Sequence, residues 1–179
     1  MFAYCNDNPV NGVDRAGSKS IAVFLLNHWL KGDGEDLSFD EDSFVSSEIK
    51  NSNIFKEEIE ARIADFKNGG PSKLSSKELI FTSAEKDLWL GIRRANYDIE
   101  IEEETKTFTF LGLRFTKTHY VATIRVYDIY NFNRGDESGD SIGSVLNNIG
   151  YSAQEIGMGT EYSWEAFITY ETKWDWYGR

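Results

Sequence analysis

Hydrophobic residues recur at helical spacing through the first half of the chain. The clearest case is Phe55, Ile59, Ile63 and Phe66, which repeat every three or four positions. This spacing places the four side chains on one face of a helix, and the Gly-Gly-Pro sequence at residues 69–71 is a strong stop signal. The pattern therefore predicts an amphipathic helix that buries this face.

Four further helices are predicted from the same reasoning. Residues 21–31 are apolar nearly all round, which predicts a buried helix with Ser18 or Ser20 as its N-cap. The other three are a short helix capped by Asp40, a helix over residues 82–95 that opens on a capping-box pattern, and a helix capped by Ser138 or Asp140 that ends at Gly150.

From Tyr97 onward the period changes from helical to two, which is typical of strands. A strand from Tyr97 is expected to turn at residues 103–106 and to return over residues 107–115, with a third strand over residues 118–128. A long alternation over residues 162–176 predicts a final strand in the middle of the sheet. The order predicts an α+β fold, with N-terminal helices followed by an antiparallel β-meander and a long C-terminal strand.

Composition narrows the functional classes. The chain has 179 residues, 40% of them hydrophobic, which is enough for a folded core. Its net charge of −11 argues against a tight nucleic-acid binder, since phosphate contacts need clustered Lys and Arg. Cys5 is the single cysteine, which excludes an internal disulfide and a cysteine-based zinc site. We see no apolar run that could span a bilayer and no signal peptide at Met1.

The start of the chain carries a family resemblance. The sequence Phe-Ala-Tyr-Cys-Asn-Asp-Asn-Pro-Val-Asn-Gly-Val-Asp at residues 2–14 resembles the end of the core of Rhs/YD-repeat proteins. The family usually continues Asp-Pro-x-Gly, whereas this chain has Asp14-Arg15-Ala16-Gly17. In that family a variable C-terminal domain follows, commonly a toxin.

The resemblance implies a domain organisation and partners. Residues 1–17 would be a remnant of the Rhs-associated core, and residues 18–179 a single α+β effector domain. The Rhs core of the parent chain and a cognate immunity protein are the implied partners. The chain would be secreted, or delivered into a target cell, as part of a larger bacterial protein.

A polar and aromatic run at residues 127–136 is the first candidate site, because loops after strand ends expose functional groups. It resembles the acidic-aromatic run of colicin M-like lipid II hydrolases, with Asn131 in place of the second acid. In a hydrolytic site Asp128 would be the metal or base carboxylate, Asn133 would orient substrate or water, and Arg134 would stabilise phosphate charge. Alternatively, these residues only satisfy the backbone of a strand end and a turn.

The second candidate site is His119, which follows Arg114 and Lys117. Histidine is the natural acid–base group near neutral pH, so His119 with Arg114 would serve a nuclease. The sequence Thr-Lys-Thr-His is equally typical of a hairpin turn. His28 lies in the buried helix and is expected to pack rather than to bind a ligand. No cofactor or metal is identified.

Three functions remain open from the sequence. The first is an envelope-acting toxin that hydrolyses a lipid-linked precursor or disturbs the membrane, the second is a nuclease toxin, and the third is a non-catalytic binding module. The acidic side chains of Asp98, Glu100 and Glu102 project from one strand face, which is expected to be solvated or to meet a basic partner such as the immunity protein.

Overall fold

The computed structural model of the chain describes residues 20–31, 34–111, 113–132 and 141–178. Five α-helices and six strands within these residues confirm the predicted α+β class. In chain order these are α1 Ile21–Lys31, β1 Leu37–Phe39, α2 Phe44–Asn51, α3 Asn53–Lys67, β2 Lys73–Ile80, α4 Lys86–Gly91, β3 Arg94–Phe110, β4 Leu113–Tyr130, α5 Ser141–Glu155, β5 Tyr162–Glu171 and β6 Asp175–Gly178. The predicted remnant of the Rhs core lies outside the described residues.

The strands form one sheet in the order β1-β5-β4-β3-β2, and β6 also pairs with β4. The β4–β6 pairing is antiparallel and sets Lys117 opposite Trp176 and Thr118 opposite Asp175. The chain groups into two compact units, which are described separately. The first comprises the described part of Met1–Phe39 with Ile80–Ala95 and Tyr127–Glu165, and the second comprises Asp40–Leu79, Asn96–Val126 and Ala166–Arg179.

In the first unit, α1 buries Ile21, Leu25 and Trp29 along one face. Ser20 caps this helix, as the sequence predicts, because its hydroxyl accepts the N–H of Val23 at 3.3 Å. The carboxylate of Asp87 in α4 reinforces the cap, accepting the Ser20 hydroxyl at 2.6 Å and the Ile21 N–H at 2.7 Å. This second cap joins residues far apart in sequence, so no local pattern marks it.

In the second unit, α2 and α3 supply the helical part of the core. Ser43 caps α2 and Ser52 caps α3, so the prediction that Asp40 caps α2 is wrong. The predicted face of α3 is confirmed at Phe55, Ile59 and Ile63, which are all buried. Facing strands contribute Tyr97, Ile99, Ile101, Tyr120, Ala122, Ile124, Val126, Ala166 and Ile168 to the same core.

The long β3–β4 hairpin differs from the prediction. The expected turn at residues 103–106 is wrong, because β3 continues to Phe110 and β4 starts at Leu113. The residues of β3 after Ile101 are exposed on both faces, so no alternation of burial marks them as a strand. Leu111 begins the turn with a positive φ of 49°.

Three other predicted boundaries move for physical reasons. The helix expected over residues 82–95 ends at Gly91, since Arg93 takes a positive φ of 57° and β3 begins at once. Helix α5 continues past Gly150, whose missing side chain makes room for the Phe132 ring. The final strand is interrupted over residues 172–174, so β5 and β6 are separate strands. None of the described helices has the length and apolar character needed to cross a membrane.

Candidate functional site

Asp128 lies near the end of β4, where its side chain is half-buried. Burial raises the pKa of this carboxyl, because a charge is poorly solvated away from water. A hydrogen bond from the N–H of Ile129 and the positive charge of Arg94 act in the opposite direction. A half-buried carboxyl with a raised pKa at a strand end is a candidate acid–base group.

Aromatic rings anchor the backbone just beyond Asp128. Tyr130 stacks on Tyr162 with ring centroids 5.3 Å apart, and Phe132 meets the edge of Trp29 at 4.8 Å. The N–H of Phe132 also donates to the side-chain oxygen of Gln154 at 3.4 Å. Burial raises the pKa of Tyr130, so its phenol stays neutral. The strand end that carries Asp128 is therefore rigidly supported.

The remaining members of the predicted hydrolytic site, Asn133 and Arg134, lie outside the described residues. Their roles beside Asp128 stay predictions. Among the described residues, no three His, Cys, Asp or Glu side chains cluster in a way that could hold a metal ion.

His119 is placed in a second, separate arrangement within the second unit. Its Nε2 lies 2.9 Å from Glu104 Oε2, and its ring stacks on Trp174 with a centroid distance of 3.9 Å. The hydrogen bond to His119 is the main reason that the pKa of the Glu104 carboxyl is lowered. The ammonium groups of Lys106 and Lys117 each lie 4.7 Å from the Trp174 ring.

This geometry both favours and restricts a catalytic role for His119. A carboxylate that fixes an imidazole is the arrangement found around a general base. However, Glu104 occupies Nε2, Trp174 covers one ring face, and the residue is only 6% exposed. Strand alternation puts Arg114 on the opposite face of β4 from His119, so the structure does not bring that predicted pair together.

Sequence reasoning missed Glu104 and Trp174 as neighbours of His119. A sequence-based prediction of a two-residue turn after Phe110 would have located Glu104. Pairing outward from such a turn sets residue 104 opposite His119. The hydroxyls of Thr107 and Thr116, 3.4 Å apart, follow the same register. Nothing in the sequence marks Trp174, which reaches the site from the segment between β5 and β6.

His28 and the acidic residues of β3, which the sequence analysis also singled out, make contacts within their own units. His28 has local contacts: its Nε2 lies 2.7 Å from the carbonyl oxygen of Glu35, and its ring meets the edge of the Tyr162 ring at 4.5 Å. Two carboxylates of the predicted acidic face of β3 have partners within the second unit. Asp98 accepts the N–H of Ser76 at 2.9 Å, and Glu100 pairs with Lys73 at 2.7 Å.

No protein-family model matches the sequence, and no curated protein matches it. Among solved structures, the chain is similar to PaeM, a colicin M-like bacteriocin produced by Pseudomonas aeruginosa, with 14% sequence identity and a TM-score of 0.44. The match covers 86% of this chain and 51% of the PaeM chain, so the present chain spans about half the length of PaeM.

Proposed function

We propose that the chain is the C-terminal effector domain of an Rhs-type toxin used in interbacterial competition. We further propose that it acts at the envelope of the target cell as a hydrolase of a lipid-linked phosphate ester, with Asp128 as the acid–base carboxylate. The single observation that carries the proposal is the half-buried Asp128 carboxyl at the end of β4, whose pKa burial raises. The resemblances at residues 2–14 and 127–136 support the class of protein.

The proposed chemistry needs one proton acceptor and one cation. Asp128 takes a proton from water, the water oxygen forms a bond to phosphorus, and the bond from phosphorus to the leaving oxygen breaks. The proton passes to the leaving oxygen. Arg134 balances the negative charge that develops on the phosphate, and Asn133 holds the substrate or the water. A cognate immunity protein would protect the producing cell.

Compartment-directed expression tests this proposal. The chain is expressed in a susceptible bacterium either in the cytoplasm or behind a periplasmic export signal. We expect killing from the periplasm alone, because a lipid-linked precursor is attacked at the outer face of the membrane. Asp128→Asn should abolish killing, whereas Asp42→Asn, which removes an exposed carboxylate of the second unit, should leave it intact. Unimpaired killing by folded Asp128→Asn would remove the proposed site.

A nuclease is the second candidate, and the contact of His119 with Glu104 favours it. A nuclease kills from the cytoplasm and degrades RNA or DNA in vitro. His119→Gln should then abolish cleavage, while Lys50→Gln, at an exposed lysine on α2, should not affect it. Killing from the periplasm without cytoplasmic toxicity would exclude this candidate.

A further inference from the structure

The distal end of the β3–β4 hairpin exposes a continuous apolar surface. Phe108 stacks on Phe115 with centroids 5.4 Å apart, and Trp176 of β6 meets Phe108 edge-on at 5.3 Å. Strand alternation puts Phe110 and Leu113 on the same side. We call these five residues the aromatic face. Three of them are largely exposed, with Phe110 at 62%, Leu113 at 58% and Trp176 at 61%.

The hairpin is two-sided at this end. Side chains opposite the aromatic face are polar, because the hydroxyls of Thr107 and Thr116 meet at 3.4 Å and those of Thr105 and Thr118 at the same distance. Leu111, at the turn itself, is 85% exposed. Monomeric soluble proteins rarely present such a contiguous apolar patch without a binding partner for it.

Charge changes sign abruptly along the hairpin. Residues 98–104 hold five carboxylates, whereas residues 106–117 hold Lys106, Arg114 and Lys117 and no acidic residue. This basic end belongs to a chain with a net charge of −11. A cationic rim around exposed aromatic groups is complementary to a surface that is negatively charged outside and apolar beneath.

The lysines are already positioned at the edge of the aromatic face. Lys117 lies 4.7 Å from the Trp174 ring and 5.5 Å from the Trp176 ring, and Lys106 also lies over Trp174. The ammonium groups therefore lie over tryptophan rings beside the aromatic face, as in cation–π pairs. Long basic side chains and tryptophan take this arrangement at the boundary between lipid headgroups and acyl chains.

We propose that the hairpin end, residues 106–111 and 113–117 together with Trp176, docks onto an anionic phospholipid membrane. The aromatic face and Leu111 would enter the headgroup region, while Lys106 and Lys117 beside that face, and Arg114 on the opposite face of the hairpin, would pair with lipid phosphates. This proposal goes beyond the proposed function, since it names a docking surface that does not include Asp128.

The acidic part of β3 sets a limit to the depth of docking. Glu104 is six residues from Phe110, which is about 20 Å along a strand. That distance exceeds the Debye length of about 8 Å at physiological salt, so a membrane that meets the hairpin at Phe110 is largely screened from the Glu104 carboxylate. Only the hairpin end is therefore suited to an anionic surface.

Sedimentation with vesicles tests the docking surface, using the full chain. We expect binding to phosphatidylglycerol–phosphatidylethanolamine vesicles at least about tenfold tighter than to phosphatidylcholine vesicles. The substitutions Phe110→Ser, Leu111→Ser and Leu113→Ser together should weaken binding by roughly tenfold or more. The matched control is Ile149→Ser, Ile156→Ser and Met158→Ser, which removes three equally exposed apolar side chains elsewhere and should bind as the parent chain does.

Charge variants and fluorescence give independent readouts. Lys106→Gln, Arg114→Gln and Lys117→Gln should each weaken binding to anionic vesicles by about fivefold. Substituting the exposed Lys31, Lys50 and Lys86 instead is the charge-matched control and should have a much smaller effect. Tryptophan emission should shift to the blue on binding, and Trp176→Phe should remove most of that shift because Trp176 enters the membrane.

Three outcomes would overturn the proposal. The first is an absence of binding to anionic vesicles, and the second is equal loss in the hairpin variant and its apolar control. The third is a concentration-dependent dimer that the hairpin substitutions dissociate without any vesicle binding, which would assign the surface to a second copy of the chain. None of these measurements depends on catalysis, so failure of docking and failure of the Asp128 site are distinguishable.

Discussion

At the scale of single residues, Asp128 lies on a strand end held by aromatic packing, in surroundings that disfavour its charged form. Its carboxyl is half-buried, and burial is the main reason that its pKa lies above the ordinary value of 3.8. The folded chain therefore binds this proton more tightly than the unfolded chain does. As the pH rises from about 4 through the raised pKa, ionisation of Asp128 lowers the free energy of unfolding.

Asp128→Asn removes the ionisable carboxyl, and with it the loss of stability on ionisation. The asparagine keeps an oxygen that can accept the N–H of Ile129. We expect the variant to be more stable than the parent at neutral pH and equal to it below about pH 4, by the sign of this linkage. Urea unfolding at both pH values measures the difference, and Asp42→Asn is the matched control for loss of one negative charge. Equal stability of parent and variant at neutral pH would mean that Asp128 is well solvated.

Single residues also show what the sequence could predict. The sequence places Asp128 at the end of a strand where a polar run begins, and the residue does lie near the end of β4, while its role in a site stays a prediction. The contact of His119 with Glu104 was not predictable, since Glu104 comes opposite His119 only when the centre of the turn lies seven residues beyond the one that the sequence suggests. Contacts across a hairpin depend on its register, which is set by the turn and not by the residues that meet.

At the scale of elements, predictions succeeded where an element buries one face. The helix through Phe55 and Ile59 and the start of β3 follow their periodicity because a core lies on one side. The sequence did not predict β2, whose eight residues include a single buried side chain, Leu79. Main-chain pairing, which leaves no trace in side-chain pattern, holds such a strand in place.

The crossing of α1 and α4 gives an element-scale prediction. Alanine at position 91 would normally favour a helix by about 1 kcal/mol over glycine. Here a Cβ atom would lie 2.9 Å from both the Cα and the N of Ala22, which are backbone atoms of α1. We therefore expect Gly91→Ala to lower the free energy of unfolding by about 1–3 kcal/mol in urea titrations.

Leu90→Ala serves as the control for this substitution, because Leu90 is exposed on the same helix. Its effect should be the smaller of the two. A Gly91→Ala chain that unfolds at the same or a higher urea concentration than the parent would show that α1 and α4 do not approach so closely.

At the scale of the whole molecule, four tyrosine hydroxyls have a raised pKa and therefore ionise at a higher pH than usual. The pKa values of Tyr97 and Tyr170 are raised to about 12, and those of Tyr130 and Tyr162 are raised further. Burial is the largest cause in each case, and acceptance of the phenol proton by Glu58 or Glu60 adds to it for the first two. The unfolded chain loses these protons near pH 10, so stability should fall as the pH rises from 10 toward 12.

The ultraviolet absorbance of tyrosinate measures this directly. At about pH 11 the folded chain should show fewer ionised tyrosines than its nine, and adding urea should release a further increase in absorbance. Tyr97→Phe and Tyr170→Phe should each reduce the increase on unfolding. Full ionisation of all nine tyrosines before unfolding would contradict the burial of these phenols.

The α+β class was predictable because the helical and the two-residue periods are distinct in the sequence, even though β1 and β2 lie among the helices and α5 lies between strands. The division into two compact units was not, since each unit gathers three separate stretches of the chain. Long-range grouping of this kind leaves no composition shift or linker at its boundaries. The predicted boundary near residue 18 remains untested, because the described residues begin at Ser20.

Leu111 has a positive φ, a backbone conformation that leucine rarely adopts. Glycine or asparagine is favoured in that conformation, and leucine costs on the order of 1 kcal/mol there. Folding alone therefore disfavours the residue that stands at the apex. A glycine at this position would give a more stable turn and a less apolar apex at once. The leucine therefore costs stability at the apex, as expected if its side chain serves the proposed docking surface.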